Sequence, residues 1–249
     1  MNVAVKNISS FVELSLEAAW NLVSKPLRIK ETIQQIFFVA NGSLWIIVFC
    51  VCFAAVVTIL ESSFHMKIVI QNDSMVPGFA SLLILRELGA VVTALLLTSR
   101  VGAGIAAEVG SMKVTEQIDA LKMLGIDPVN YLLVPRLIAT TIGCMILCIV
   151  ANMVCIFTAT IVSDQILGYT PSMFLTAMNR FVEFRDLIFS VIKAMFFGMV
   201  IPLISCFFGF RCKSGADGVG SATTQSVVFA SIAIIFLDFI LSYTFSYFY

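Results

Sequence analysis

Charge is what this chain has least of. Only 12% of its 249 residues are Asp, Glu, Lys or Arg, about half of the roughly 25% with which a soluble domain hydrates its surface. That shortage excludes a water-soluble enzyme. Fifteen basic residues balance fifteen acidic ones, so no basic excess exists to hold nucleic acid, and none is expected as a partner. His65 is the single histidine and the seven cysteines show no C-x-x-C spacing, which removes the usual metal frameworks. No Walker sequence, H-E-x-x-H or G-x-S-x-G occurs, so neither a catalytic residue nor a cofactor is expected in the chain itself. Apolar side chains, by contrast, make up 60% of it. With zero net charge, such a chain is not disordered. It reads as an all-α integral membrane protein whose apolar surface meets lipid.

Five apolar stretches are long enough to cross a hydrocarbon core of about 30 Å, which takes around 20 helical residues. They cover residues 36–60, 76–107, 131–162, 187–210 and 226–248, and are predicted helical because lipid offers the backbone no partners. The second and third would each reach about 48 Å at 1.5 Å per residue, so they tilt, break or project. Lys6, Lys25, Arg28 and Lys30 precede the first span. Lys113, Lys122 and Arg136 surround the second connection, and Arg211 and Lys213 the fourth. The other side carries only Lys67, Arg180 and Arg185. Positive charge gathers on the cytoplasmic side, which predicts a cytoplasmic N-terminus and, with five spans, a C-terminus on the opposite side.

Residues 8–25 predict a different helix, with Ile8, Phe11, Val12, Leu16, Ala19, Leu22 and Val23 on one side. Ser10, Glu13, Glu17, Asn21, Ser24 and Lys25 lie opposite, and Pro26 stops it. Such a helix lies flat at the interface or packs on a partner subunit.

Four ionisable residues interrupt the spans: Arg86, Glu87, Lys193 and Asp238. Each costs about 2.5–3.5 kcal/mol unpaired near a helix centre. Counting from the span ends puts them in one layer of the outward half of the membrane, two positive against two negative. Two readings stay open: a sealed cluster that fixes helix packing, or a polar layer beside a lipid-sized hollow. Below it, Gly102, Gly104 and Gly110 allow close helix approach or a hinge, and Pro202 is expected to kink the fourth span.

The connection at 108–128 predicts a short amphipathic helix. Thr115 is its expected cap, Glu116 and Asp119 lie in its first turn, and Ile118, Leu121 and Met123 form its apolar side. Gly125 and Pro128 end it. It lies on the membrane or docks into a groove on a soluble partner.

The stretches LRELGAVVTALL (85–96), AAEVGSMKVTEQIDALKMLGIDP (106–128), VPRLIA (134–139) and SATTQSVVFASIAIIFLDF (221–239) closely resemble the MlaE/YrbE family of ABC-transporter permeases. The likeness runs from about residue 36 onward; it departs at Ala90, where many members carry proline, and at Ser99–Ala103, which replaces a G-R-A-G-S pattern. The resemblance implies one permease domain over 1–249: an interfacial helix, five spans, and a cytoplasmic coupling helix between the second and third. It implies a homodimer in the bacterial inner membrane, with two cytoplasmic ATPases that bind the ATP and magnesium. A periplasmic MCE-domain protein and, in some systems, a STAS-domain subunit are further implied partners. The implied task is phospholipid movement that helps maintain outer-membrane asymmetry. It further implies that Arg86, Glu87, Lys193 and Asp238 border the lipid cavity, and that Glu116, Gln117, Asp119, Leu121 and Met123 contact the ATPase. The rivals are a proton-coupled transporter using Glu87 or Asp238, and a non-transporting scaffold.

Overall fold

The computed structural model describes residues 3–24, 28–66, 75–213 and 215–248. Lys25, Pro26 and Lys67 lie outside them. The helices are α1 (Val3–Ser24), α2 (Ile29–His65), α3 (Val76–Val114), α4 (Gln117–Met123), α5 (Val129–Leu167), α6 (Pro171–Phe181), α7 (Phe184–Phe210) and α8 (Ala216–Phe248). Five of them, α2, α3, α5, α7 and α8, are long and apolar enough to cross a membrane. Each overruns its apolar window at one end or both, because backbone hydrogen bonding continues past the last lipid-facing residue. α3 and α5 run without a break and contain π-helical turns at Ile84–Leu88, Thr98–Gly102, Val129–Leu133 and Ser163–Leu167.

Packing follows rows of buried residues at fourth-residue spacing. On α2, Val39, Ser43, Ile47, Val51, Ala55 and Ile59 are buried, and α5 answers with Gly143, Leu147, Ala151, Cys155 and Ala159. Such rows interlock as ridges in grooves. The Cys155 thiol donates to the Val51 carbonyl at 3.4 Å, and all seven cysteines are free. Cys144, Cys148, Cys155 and Cys206 are buried and act as small apolar side chains within these seams. α7 lies centrally, against α3, α5 and α8.

Several close helix crossings lie away from the glycine stripe of α3. A Cβ added at Gly198 would lie 2.7 Å from the Thr141 Cα and 2.9 Å from the Thr140 carbonyl oxygen, whose own hydroxyl donates to the Gly198 carbonyl at 2.9 Å. At Gly143 it would meet Val39 at 2.7 Å, and at Gly209 Val109 at 2.8 Å. On α3, an added Cβ at Gly102 would meet the Ser205 hydroxyl at 3.2 Å and at Gly110 would make ordinary contact with Cys212, while at Gly104, among the described residues, it would meet nothing within 4 Å beyond its own helix. The stripe turns around the helix, so only part of it faces a neighbour. Pro202 is buried within α7, which continues through it.

Three local expectations change. Among the described side chains of α1, Ala18 and Asn21 are the buried ones, and Phe11 packs edge-on against Phe207 at 5.5 Å. Asn21, expected on the wet side, donates instead to Asp127 Oδ2 at 2.8 Å, while Val12, Leu16 and Trp20 stay exposed. The protein-facing side is therefore rotated from the apolar stripe. At the second connection Thr115 does not cap α4: its hydroxyl returns to the Ser111 carbonyl at 2.9 Å. Glu116 precedes α4 in the left-handed region at φ 60°, a conformation costing about 1 kcal/mol for a residue with a Cβ. Third, α6 was not anticipated. Thr170 caps it, accepting from the Met173 N–H at 3.4 Å, with Pro171 in its first turn.

Candidate functional site

The in-span charges meet where α3, α7 and α8 converge. Lys193, on α7, has no solvent-accessible surface. Its ammonium donates to Glu87 Oε2 at 2.9 Å and to the Arg86 carbonyl at 3.0 Å, and it pairs with Asp238 Oδ1 at 2.7 Å. Two N–H groups thus meet acceptors, and a second carboxylate lies within ion-pair distance. The Phe189 ring lies 5.0 Å from the ammonium. Together these replace the hydration that burial strips away.

Arg86 turns elsewhere. Its Nε donates to Asp186 Oδ1 at 2.6 Å, and its guanidinium sits 5.2 Å from the Phe245 ring, which in turn stacks on Phe189 at 4.0 Å. Asp186 has no exposed surface. Its second oxygen accepts the Glu183 N–H at 2.9 Å, closing the capping box that starts α7. One side chain thus starts the helix and completes the charge cluster. Glu87 accepts from the Ser242 hydroxyl at 3.3 Å.

All four expected residues are brought together, but as two pairings: a Glu87–Lys193–Asp238 triad and an Arg86–Asp186 bridge. With Asp186 included, three carboxylates face two cations, so the expected cancellation does not hold. Asn152 and Ser190 also belong to this layer and were not anticipated. The Asn152 amide donates to the Ser190 hydroxyl at 3.0 Å, and an added Cβ at Gly89 would collide with Asn152. Arg86 and Glu87 occupy the π-helical turn Ile84–Leu88, a widened turn of the kind frequent at functional sites.

The cluster is closed on one side only. Its α7 members, Lys193 and Asp186, are fully buried, whereas the α3 and α8 side chains are accessible: Glu87 at 42%, Arg86 at 25% and Asp238 at 22%. Separate hollows of about 330 Å³, beside Pro77 and Arg180, and about 310 Å³, beside Arg211 and Gln225, lie away from it.

At the far end of α3, Lys113 donates to Asp119 of α4 at 2.8 Å. That bond holds the Asp119 carboxyl below its ordinary value, so the brace is intact at neutral pH and loosens only on acidification. Arg136 of α5 reaches Glu108 at 2.7 Å. Of the residues expected to face a partner, Glu116 and Gln117 are exposed, Asp119 and Leu121 are half-buried, and Met123 is 90% exposed. Ile118 alone of the expected apolar side is buried, so Met123 points outward beside the exposed Leu124.

The sequence profile described as Permease MlaE matches residues 32–244. The chain belongs to the MlaE permease family. It is 33% identical over 237 residues, 95% of this chain and 91% of the relative, to a probable ABC transporter permease protein of Rickettsia felis. A probable ABC transporter permease protein of Synechocystis is 39% identical over 166 residues, 67% of this chain and 63% of that one. The Arabidopsis thaliana protein TRIGALACTOSYLDIACYLGLYCEROL 1, chloroplastic, is 36% identical over 165 residues, 66% of this chain and 47% of that one. This MlaE-family member is a multi-pass ABC transporter permease.

Proposed function

We propose that this permease moves phospholipid between the inner membrane and a periplasmic MCE-domain carrier, driven by two cytoplasmic ATPases, and so helps maintain outer-membrane lipid asymmetry. The observation that carries this reading is the half-open charge cluster. A stretch of apolar helix holds ionisable side chains whose buried half is anchored on α7 and whose accessible half belongs to α3 and α8. An amphiphile suits such a place, with its polar head against the charges and its tails on the surrounding Phe, Leu and Ile side chains. An Arabidopsis relative bearing a diacyl lipid's name supports a lipid cargo.

Five spans are few to enclose a two-chain lipid, so a second copy supplies the missing wall at the α3–α8 edge, where Phe236, Phe239 and Tyr243 are exposed. The N-terminus is cytoplasmic and the C-terminus periplasmic. ATP and magnesium bind to the ATPases, whose approach pushes α4. The Lys113–Asp119 contact passes that displacement to α3, and Glu108–Arg136 passes it to α5. The spans then narrow around the lipid. A photoreactive residue at position 86 or 238 of the purified complex is expected to label co-purified phospholipid, detected by mass spectrometry. Absence of any lipid adduct at both positions defeats the proposal.

A second reading, a static packing cluster, is favoured by the complete burial of Lys193 and Asp186. It predicts that Arg86 and Glu87 variants lose abundance in step with transport; the lipid reading predicts that transport falls first. For α4, the pair Met123→Glu and Leu124→Asp is expected to cut ATPase co-purification by about tenfold or more, the effect of charging a small apolar contact. Permease yield should stay near normal, since neither side chain packs in the chain. Undiminished co-purification removes α4 as the coupling helix.

A further inference from the structure

The proposed lipid site has a sign. Arg86 and Lys193 supply two cations, and Glu87, Asp186 and Asp238 three carboxylates, so one carboxylate lacks a counter-charge within the cluster. The distribution of access sharpens this imbalance. Lys193 is fully buried, donates to the Arg86 carbonyl and Glu87 and is ion-paired with Asp238, so its ammonium is out of a phosphate's reach. Asp186 is equally buried, its oxygens turned to Arg86 and the Glu183 N–H and out of a ligand's reach. What a ligand meets is chiefly Glu87, 42% accessible, with Asp238 beside it at 22% and Arg86 at 25%. A carboxylate has about four lone-pair positions; Glu87 is shown using two, on Lys193 and Ser242.

We propose that this site selects zwitterionic phospholipid, its ammonium lying against Glu87 and Asp238 and its phosphate on the Arg86 side. The inference rests on the lipid reading above and adds the headgroup class. Its ammonium gives the excess carboxylate a counter-charge within the membrane, where an uncompensated carboxylate is costly, and as a whole the zwitterion adds no net charge to the site. A purely anionic headgroup adds a second negative charge to an existing excess and is disfavoured.

The test uses the purified complex in vesicles of equal phosphatidylethanolamine and phosphatidylglycerol with identical acyl chains. After extraction in mild detergent, retained lipid is counted by mass spectrometry. Retained phosphatidylethanolamine is expected to exceed phosphatidylglycerol by about three- to tenfold, within the net range of one typical hydrogen bond. Glu87→Gln should bring the ratio close to one, and Glu87→Asp should keep the preference. Glu87→Gln leaves the cluster neutral, with Lys193 still held by Asp238 and the Arg86 carbonyl; Asp238→Asn, expected to lower the ratio in the same direction, covers the case in which Glu87→Gln fails to accumulate. Retained lipid with no headgroup preference in the native complex overturns this inference and leaves the lipid reading standing. No retained lipid at all defeats both. Excess water-soluble glycerophosphoethanolamine should leave the lipid in place; complete displacement would make the ligand a soluble zwitterion and overturn the proposal.

Discussion

Lys193→Met is expected to destabilise the permease by roughly 3–5 kcal/mol, the cost of removing one partner from a buried ion pair. Glu87 and Asp238 now approach one ammonium at 2.9 and 2.7 Å. Without it, two carboxylates face each other across an apolar gap. The loss should show as lower abundance in the membrane and a lower melting temperature in detergent. Hydrophobic substitution of an entire buried ion group, however, is often neutral. Adding Glu87→Gln and Asp238→Asn to Lys193→Met should therefore recover most of the stability while lipid movement stays lost. A Lys193→Met protein as stable as the native one would show that the ion group contributes little to the packing of α3, α7 and α8.

Gly198→Val is expected to cost about 2–3 kcal/mol, toward the upper end for overpacked cores. Helix propensity works in the opposite direction, because glycine is the poorer helix former. Any loss is therefore steric. The obstacle is backbone, the Thr141 Cα and the Thr140 carbonyl, and backbone cannot step aside as a side chain can. Accommodation requires α5 and α7 to separate, which also stretches the Thr140–Gly198 hydrogen bond. Gly104→Val is the control: among the described residues nothing beyond its own helix lies within 4 Å of its added Cβ, so its effect should stay within about 0.5 kcal/mol. Detergent melting curves compare the two directly. Equal behaviour would mean that the Gly198 crossing has slack.

The spans were legible because lipid imposes a strong and simple rule on sequence: a long apolar run must be helical. The same rule exposed Arg86, Glu87, Lys193 and Asp238, whose insertion cost makes each conspicuous in an apolar run. Asp186 escaped because it lies just before the apolar window, where an acidic residue in a first turn looks ordinary. Two signals marked it. Glu183 and Asp186 have capping-box spacing, and Asp186 stands seven residues before Lys193, on the same face of α7. The cap of α6 was equally readable at Thr170–Pro171. The π-helical turns were not, since no residue type marks them and they arise from how long helices settle against neighbours. For the same reason sequence alone misplaced the buried side of α1. An apolar stripe records contact with anything apolar, lipid or protein, whereas Asn21 is drawn inward by one specific acceptor, Asp127.

The way Lys193 is satisfied bears on how the chain is made. Synthesis runs from the N-terminus, so α3, with Glu87 and the Arg86 carbonyl, precedes α7 into the bilayer. The lysine therefore finds a first counter-ion among helices already inserted, and Asp238 arrives last, closing a nascent half-built pair. Biogenesis and the finished fold draw on the same electrostatic complement. Moving the acid of α3 to α8 would preserve the final inventory of charges but leave α7 to enter the bilayer unaccompanied.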